Sequence, residues 1–229
     1  FAVKVINKRA TLIVGSGSNN TERAVEKSKF SEKAGADGVL AVTPYYNKCT
    51  QNGLIKYYEQ IANAVSLPVI AYNVPARTGV NLLPETMQKI AKIPNVAGIK
   101  EASGNISQVA EIKSLVGDKL DIYSGNDDQI VPIMSLGGAG VISVLSNLMP
   151  HETSEMCHMY LDGKVRESAE MQIKYLPLIN ALFSEVNPIP VKAAMAKMGF
   201  CKDYLRLPLT SMEEEHKKVL YKLMEEQNL

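Results

Sequence analysis

Residues 96–103 read VAGIKEAS, a short apolar run with one lysine, Lys100, near its carboxyl end. Turn-forming pairs bound this run at 94–95 (PN) and at 104–105 (GN). An apolar run between turn signals is typical of a buried strand in a parallel sheet. An amine in that position is predicted to be desolvated, which lowers its pKa and makes it a better nucleophile toward a carbonyl carbon. The alternative is a lysine at the end of the strand whose ammonium group reaches water.

Similar apolar runs recur along the chain at nearly constant spacing. Gly15, Thr43, Ala71 and Lys100 end successive runs at intervals of 28, 28 and 29 residues. This spacing is the length of one strand-plus-helix unit, and it predicts a parallel sheet built from βα repeats. About six strands are predicted from the pattern, whereas a closed (β/α)8 barrel has eight.

The two ends of the chain differ from this repeat. Residues 1–9 have the pattern of the last part of an amphipathic helix, so we expect a TIM barrel whose first two βα units are missing, with Lys100 on the sixth strand of the complete barrel. After Pro150 the pattern is helical to the end, with interruptions at 187–190 (NPIP) and 205–208 (LRLP). We therefore predict a partial barrel over residues 1–163 and a C-terminal helical region, packed on the barrel, over residues 164–229.

An open doubly wound sheet is the rival architecture, and it would normally bind a nucleotide at a glycine-rich first turn. The loop at 15–20 (GSGSNN) has two glycines in suitable positions but lacks the third. The following strand ends in Val42-Thr43, without the acidic residue that contacts a ribose. Nucleotide binding is therefore disfavoured.

Composition excludes several classes of function. The chain has 25 basic and 24 acidic side chains and a net charge of +1, which gives no electrostatic footprint for nucleic acid or for an acidic membrane surface. The three cysteines are scattered and have no CxxC spacing, which is typical of reduced thiols and predicts a cytoplasmic protein. The three histidines form no spacing typical of a metal site, so no metal is predicted.

The ends of the predicted strands carry an amine, phenols and a guanidinium group, and in βα barrels the active site lies at these ends. Lys100 can add to a ketone and form an imine, and the phenol of Tyr72 can carry the protons of each step. Arg77 can hold a carboxylate through a bidentate ion pair. Each residue alone also has a purely structural interpretation, as a surface ion pair for Arg77 and as a core aromatic for Tyr72.

Taken together, the segments around these residues are more specific. They resemble the dihydrodipicolinate synthase family of pyruvate-dependent class I aldolases, within the N-acetylneuraminate lyase superfamily. The resemblance covers essentially the whole chain. The segments that carry it are TPYYN (43–47), YNVPARTG (72–79), GIKEASG (98–104), SGND (124–127), GVISV (140–144), NPIPVK (187–192) and LRLP (205–208).

The resemblance implies a (β/α)8 barrel with a helical C-terminal extension, and it assigns catalytic roles to three residues. Lys100 would form the Schiff base with pyruvate, and Tyr72 would be the proton-relay tyrosine beside it. Tyr46 would reach the active site of a partner subunit and complete the relay there. Homodimers or homotetramers are therefore expected, and no cofactor is implied beyond the covalent imine on Lys100.

Further residues are implied to bind substrate or effector. Arg77 would receive the carboxylate of aspartate semialdehyde, and Gly125 and Ile142 would line the pocket through backbone groups. Asn19 and Tyr45 match positions that bind lysine as a feedback inhibitor in regulated members. Arg23 stands where lysine-sensitive members usually carry a glutamate. A cation there would repel the effector's amine, which predicts weak or absent inhibition by lysine.

The implied reaction is the condensation of pyruvate with L-aspartate 4-semialdehyde to 4-hydroxy-tetrahydrodipicolinate, a lyase step of lysine and diaminopimelate biosynthesis. Two alternatives remain: a related pyruvate-dependent aldolase acting on a sugar acid, and an inactive truncated form. The family carries a Gly-Thr-Thr-Gly-Glu segment whose threonines bind the pyruvate carboxylate, and the 229 residues contain no copy of it. If these residues were the whole molecule, we would expect catalysis to fall severely.

Overall fold

A computed structural model describes residues 1–229 and contains one six-stranded sheet. The strands follow the apolar runs of the sequence, because β-branched side chains suit a sheet that is covered by helices. The strands are β1 (Ile13–Gly15), β2 (Gly38–Val42), β3 (Val69–Asn73), β4 (Val96–Glu101), β5 (Asp121–Ser124) and β6 (Gly140–Val141).

The strands follow one another across the sheet in chain order, from β1 to β6. Every neighbouring pair from β1 to β5 runs parallel. A doubly wound sheet reverses its strand order partway across, and this sheet does not. The sequential order is that of consecutive βα units of a (β/α) barrel, which confirms the predicted fold class and the six strands.

The pairing of β3 with β4 contains a register shift close to its beginning. Val69 pairs with Val96, but Ile70 pairs with Gly98, so β4 has one additional residue, Ala97, at this point. Such a bulge re-aims the side chains that follow it. Beyond the bulge, Tyr72 pairs with Lys100 and Asn73 with Glu101.

Helices connect the strands and make up most of the chain after β6. They are α1 (Ala2–Ile6), α2 (Thr21–Ala34), α3 (Gln51–Ala64), α4 (Pro75–Thr78), α5 (Pro84–Ile90), α6 (Ile106–Val116), α7 (Ile130–Ser135), α8 (Pro150–Leu161), α9 (Val165–Leu182), α10 (Ile189–Lys197) and α11 (Glu214–Glu225). Short 3₁₀ helices span Gly117–Lys119, Asp127–Gln129 and Leu145–Asn147.

Local signals in the sequence set the ends and the buried faces of these helices. Asn20 caps α2, since its side-chain oxygen accepts a hydrogen bond from the amide of Arg23 at 3.0 Å. Gly35 ends the same helix with φ 95°, a left-handed conformation that favours glycine. In α3, the fully buried residues include Leu54, Tyr58 and Ile61, whose spacing places them on one helical face.

The chain divides into two compact units, each with its own contacts. One comprises residues 1–125 and 135–140, and the other comprises residues 126–134 and 141–229. The core of the second unit is formed by apolar side chains of α7 to α11 and of the 3₁₀ helix Leu145–Asn147. Leu145, Met156 and Leu182 are among them. The predicted boundary between residues 163 and 164 stays a prediction.

The helical pattern predicted between Pro150 and residue 187 comprises two separate helices. Helix α8 ends at Leu161 and α9 begins at Val165. Gly163 lies between them with φ 82°, a backbone conformation that cannot continue a right-handed helix. No helix of this chain has the length and apolar character needed to cross a membrane.

Candidate active site

The reactive pair predicted from the sequence comes together at the carboxyl ends of β3 and β4. Tyr72 and Lys100 are direct partners in the register of these strands. The Nζ atom of Lys100 lies 4.5 Å from the centroid of the Tyr72 ring. Both side chains are half-buried. The amine therefore lies over the face of the aromatic ring, in the geometry of a cation–π contact.

Burial and a neighbouring charge act in opposite directions on the Tyr72 phenol. Burial raises the pKa of Tyr72, and the positive charge of Arg77 lowers it in part. The net result is a raised pKa, so the phenol keeps its proton at neutral pH. Tyr72 is therefore in the form that can donate a proton to a departing hydroxyl group.

A cavity of about 370 Å³ within the first unit is lined by Tyr72, whereas Lys100 is not among its lining residues. It contains one guanidinium group and two phenols, and its remaining lining is mostly apolar, the combination expected of a small-molecule site. Arg77 reaches it from α4, the short helix that directly follows β3. The lining residues are Gly15, Gly17, Leu40, Val42, Tyr45, Tyr72, Val74, Arg77 and Thr78.

Gly125 lies directly against Lys100, although it is not among the residues that line the cavity. Its amide donates a hydrogen bond to the carbonyl of Glu101 at 2.7 Å. A Cβ atom at residue 125 would lie 2.6 Å from the Cβ of Ala102 and 3.1 Å from the Cε of Lys100. Only glycine therefore fits here without moving the lysine or its strand.

Tyr46 is not brought to the cavity. Its side chain is 90% exposed, and its backbone is left-handed with φ 71°. The amide of Tyr46 donates to the carbonyl of Thr78 at 3.4 Å, while the Oγ1 of Thr78 accepts from the Oγ1 of Thr43 at 3.2 Å. The loop that carries Tyr46 is thus tied to the end of α4, and its phenol projects into solvent.

The two residues predicted to bind an effector lie on adjacent loops. Tyr45 lines the cavity and is 40% exposed. Asn19 lies in the loop after β1, where its carbonyl accepts a hydrogen bond from the Nδ2 of Asn47 at 3.2 Å. The link between the two loops is therefore made by Asn47, which the prediction did not include.

Ile142 follows β6 and lies in the second unit, where it is half-buried. The backbone just beyond it is held by Asp127, whose Oδ2 accepts from the amides of Val144 and Leu145, both at 2.9 Å. Asp127 is 1% exposed, and its Oδ1 is buried without a hydrogen-bond partner. Nothing in the spacing pointed to a contact with residues 144–145.

Comparison with known proteins agrees with this arrangement along the whole chain. Residues 1–227 match the Dihydrodipicolinate synthetase family. The 4-hydroxy-tetrahydrodipicolinate synthase of Alkaliphilus oremlandii is 56% identical over 229 residues, which cover 100% of this chain and 79% of that protein.

Solved structures show the same fold. The crystal structure of dihydrodipicolinate synthase from Aquifex aeolicus superimposes with a TM-score of 0.98 at 40% identity, covering 100% of this chain and 78% of that one. The chloride-inhibited enzyme from Acinetobacter baumannii, complexed with pyruvate, gives a TM-score of 0.96 at 41% identity, with 99% and 78% covered. With its parallel βα units, its lysine–tyrosine pair and its family match over nearly every residue, the chain belongs to the dihydrodipicolinate synthetase family.

Proposed function

We propose that this chain acts as a 4-hydroxy-tetrahydrodipicolinate synthase, a lyase that condenses pyruvate with L-aspartate 4-semialdehyde through a Schiff base on Lys100. The observation that carries the assignment of residues is the amine of Lys100 placed 4.5 Å from the Tyr72 ring at adjacent strand ends. The family relationship supports the choice of substrates. The lysine biosynthetic role follows from that reaction.

The first half of the reaction needs one amine and one proton donor. The neutral amine of Lys100 adds to the keto carbon of pyruvate and gives a carbinolamine. Tyr72 donates its phenolic proton to the departing hydroxyl, so water leaves and an iminium ion forms. The iminium draws electron density from the neighbouring methyl group, which gives a proton to the Tyr72 phenolate and leaves an enamine.

The second half joins the two substrates. The enamine carbon attacks the aldehyde carbon of aspartate semialdehyde, and the resulting alkoxide takes up a proton. Arg77 binds the carboxylate of this substrate by a charge-assisted pair and so fixes the position of its aldehyde. The substrate's own amine then attacks the iminium carbon, which closes the ring and releases the amine of Lys100.

Other predicted properties of the enzyme remain proposals. Tyr46 would act in the site of a partner subunit of a homodimer or homotetramer, which fits its 90% exposed side chain. Gly125 and Ile142 would contribute backbone groups to the pocket, and Asn19 and Tyr45 would line an effector site. The three cysteines are unpaired, which supports a reducing cytoplasmic compartment.

Trapping with borohydride tests this function directly. Reduction in the presence of pyruvate should add the mass of one reduced pyruvate adduct to the peptide that contains Lys100. The Lys100→Ala variant should remain unlabelled, whereas Lys89→Ala, which alters a lysine on α5, should be labelled like the unaltered chain. Labelling of Lys100→Ala, or none of the unaltered chain, would contradict the proposal. Supplying aspartate semialdehyde or a sugar-derived aldehyde then separates the synthase from a sugar-acid aldolase.

A further inference from the structure

We propose that four hydrogen-bonded polar residues, three buried and one half-buried, form a positioning device for the reaction behind the strand ends that carry Tyr72 and Lys100. These residues are Asn73, Asn81, Glu101 and Gln108, called here the Asn73–Glu101 network. The inference rests on the proposed function, because it assigns to the network the placement of Lys100, Tyr72 and Arg77.

The network lies directly behind the reactive pair. Side chains alternate between the two faces of a strand, so the residues that follow Tyr72 and Lys100 point to the opposite face. These are Asn73 and Glu101, which are themselves partners in the register of β3 and β4. The Nδ2 of Asn73 donates to the Oε2 of Glu101 at 3.0 Å. This bond therefore fixes the two strand ends at the level where the amine meets the phenol.

Glu101 is a carboxylate in an unusual place, because it is 1% exposed and its contacts are all hydrogen-bond donors. Its Oε1 accepts from the amide of Ser103 at 2.6 Å, and its Oε2 also accepts from the Nε2 of Gln108 at 3.4 Å. A buried carboxylate is tolerated only when donors surround it, so the network depends on Glu101 remaining a pure acceptor.

The same network fixes the loop at 79–83, which follows the short helix that carries Arg77. The Oδ1 of Asn73, which is fully buried, accepts from the amide of Leu82 at 2.9 Å. Asn81 exchanges two hydrogen bonds with Gln108. The Nδ2 of Asn81 donates to the Oε1 of Gln108 at 2.7 Å, and the Nε2 of Gln108 donates to the Oδ1 of Asn81 at 3.2 Å. The Oδ1 of Asn81 also accepts from the Nδ2 of Asn73 at 2.9 Å. The far end of the loop, at 81–82, is thereby attached to the end of β3 and to the first turn of α6.

Two variants separate the two tasks of the network. In Glu101→Gln the side chain keeps its shape, but an NH₂ group now faces the donors of Asn73 or Ser103. The strand ends must separate to relieve this, and we expect the rate of borohydride trapping with pyruvate to fall about 10- to 100-fold, as a displacement of up to 1 Å would cause. In Asn81→Ala the strand bond remains, so trapping should stay within about twofold while KM for aspartate semialdehyde rises about tenfold.

Asn95→Ala is the matched control, because it removes a half-buried, hydrogen-bonded amide next to the opposite end of β4. The Nδ2 of Asn95 donates to the carbonyls of Ala62, Val65 and Leu67 at 2.9, 3.0 and 3.2 Å. This variant should lower the unfolding temperature without changing the trapping rate or KM. All rates are compared at temperatures at which circular dichroism shows each variant to be folded.

The outcomes distinguish this inference from the proposed function. If the unaltered chain is not labelled by pyruvate, both fall together. If it is labelled but Glu101→Gln and Asn95→Ala are trapped equally fast, the network is only structural and this inference is overturned. Should Glu101→Gln fail to fold, Asn81→Ala decides alone, since an unchanged KM for the aldehyde would refute the positioning of Arg77.

Discussion

Replacing Gly125 with alanine tests whether the missing side chain at this residue makes room for the reactive amine. The added Cβ would lie 2.6 Å from the Cβ of Ala102 and 3.1 Å from the Cε of Lys100. Carbon atoms in ordinary contact are at least about 3.5 Å apart, so these neighbours must move by about 0.9 Å and about 0.4 Å. Ala102 has no flexible side chain, so the larger movement falls on the backbone after β4.

These displacements set the expected size of the effect. Overpacking of a buried contact typically costs about 1–3 kcal/mol of the free energy of unfolding. A shift of about 1 Å at the reacting atoms costs on the order of 100-fold in rate, and the shift expected at Lys100 is smaller. We therefore expect the rate of pyruvate trapping by Gly125→Ala to fall about 10- to 100-fold.

The assay combines time-resolved borohydride trapping, followed by mass spectrometry, with urea unfolding of the same samples. Gly53→Ala in α3 is the control, because its Cβ meets only the Cβ of Cys49 at 3.3 Å and the Oγ1 of Thr50 at 3.5 Å. Alanine in a helix interior favours folding by about 0.5–1 kcal/mol over glycine, so this variant should be as stable as the unaltered chain. Trapping by folded Gly125→Ala at the unaltered rate would refute the packing argument.

Two further predictions concern stability. Burial raises the pKa of Tyr57 to about 12 in the folded chain, above the ordinary value of 10.0. The folded state therefore gains stability from the neutral phenol below pH 10, and this stability is lost as the pH rises toward 12. Urea titrations should show that the free energy of unfolding falls by about 2–3 kcal/mol over this pH range, and by less in Tyr57→Phe. An identical pH dependence in that variant would contradict the assignment to Tyr57. Asp127→Ala leaves the amides at 144–145 without their acceptor and should lower the free energy of unfolding by about 2–4 kcal/mol. Asp127→Asn keeps an acceptor oxygen and should lose less, so equal losses would speak against the hydrogen bonds as the cause.

The fold was predictable because its signals are local. The near-constant interval between apolar runs indicates βα units, and each of the six predicted strands lies within a few residues of an observed one. The ends of α8 and α9 were not predicted, because Gly163 is flanked by residues that suit a helix, and one glycine does not reveal its φ angle in a sequence.

The site was predictable where a residue's chemistry is unusual for its position. A lysine in an apolar strand and an arginine after a proline stand out, and the structure places Lys100 and Arg77 near Tyr72. The supporting residues could not be found in this way. Asn73 and Glu101 are 28 residues apart, and their hydrogen bond depends on the register of two strands that the sequence does not specify.

The bulge at Ala97 determines which side of the sheet receives the nucleophile. Val96 pairs with Val69, and an uninterrupted alternation from there would match Lys100 to Asn73 and leave Ile99 beside Tyr72. The amine would then be directed into the helical layer, and the side chain of Ile99 would occupy the place of the amine opposite Tyr72. The identity of residue 97 matters little to this result, whereas the number of residues between Val96 and Lys100 matters a great deal. The number of residues in β4 therefore matters to the proposed reaction as much as their identity. A gain or loss of one residue between the bulge and Lys100 would turn Lys100 to the face that now carries Asn73 and Glu101.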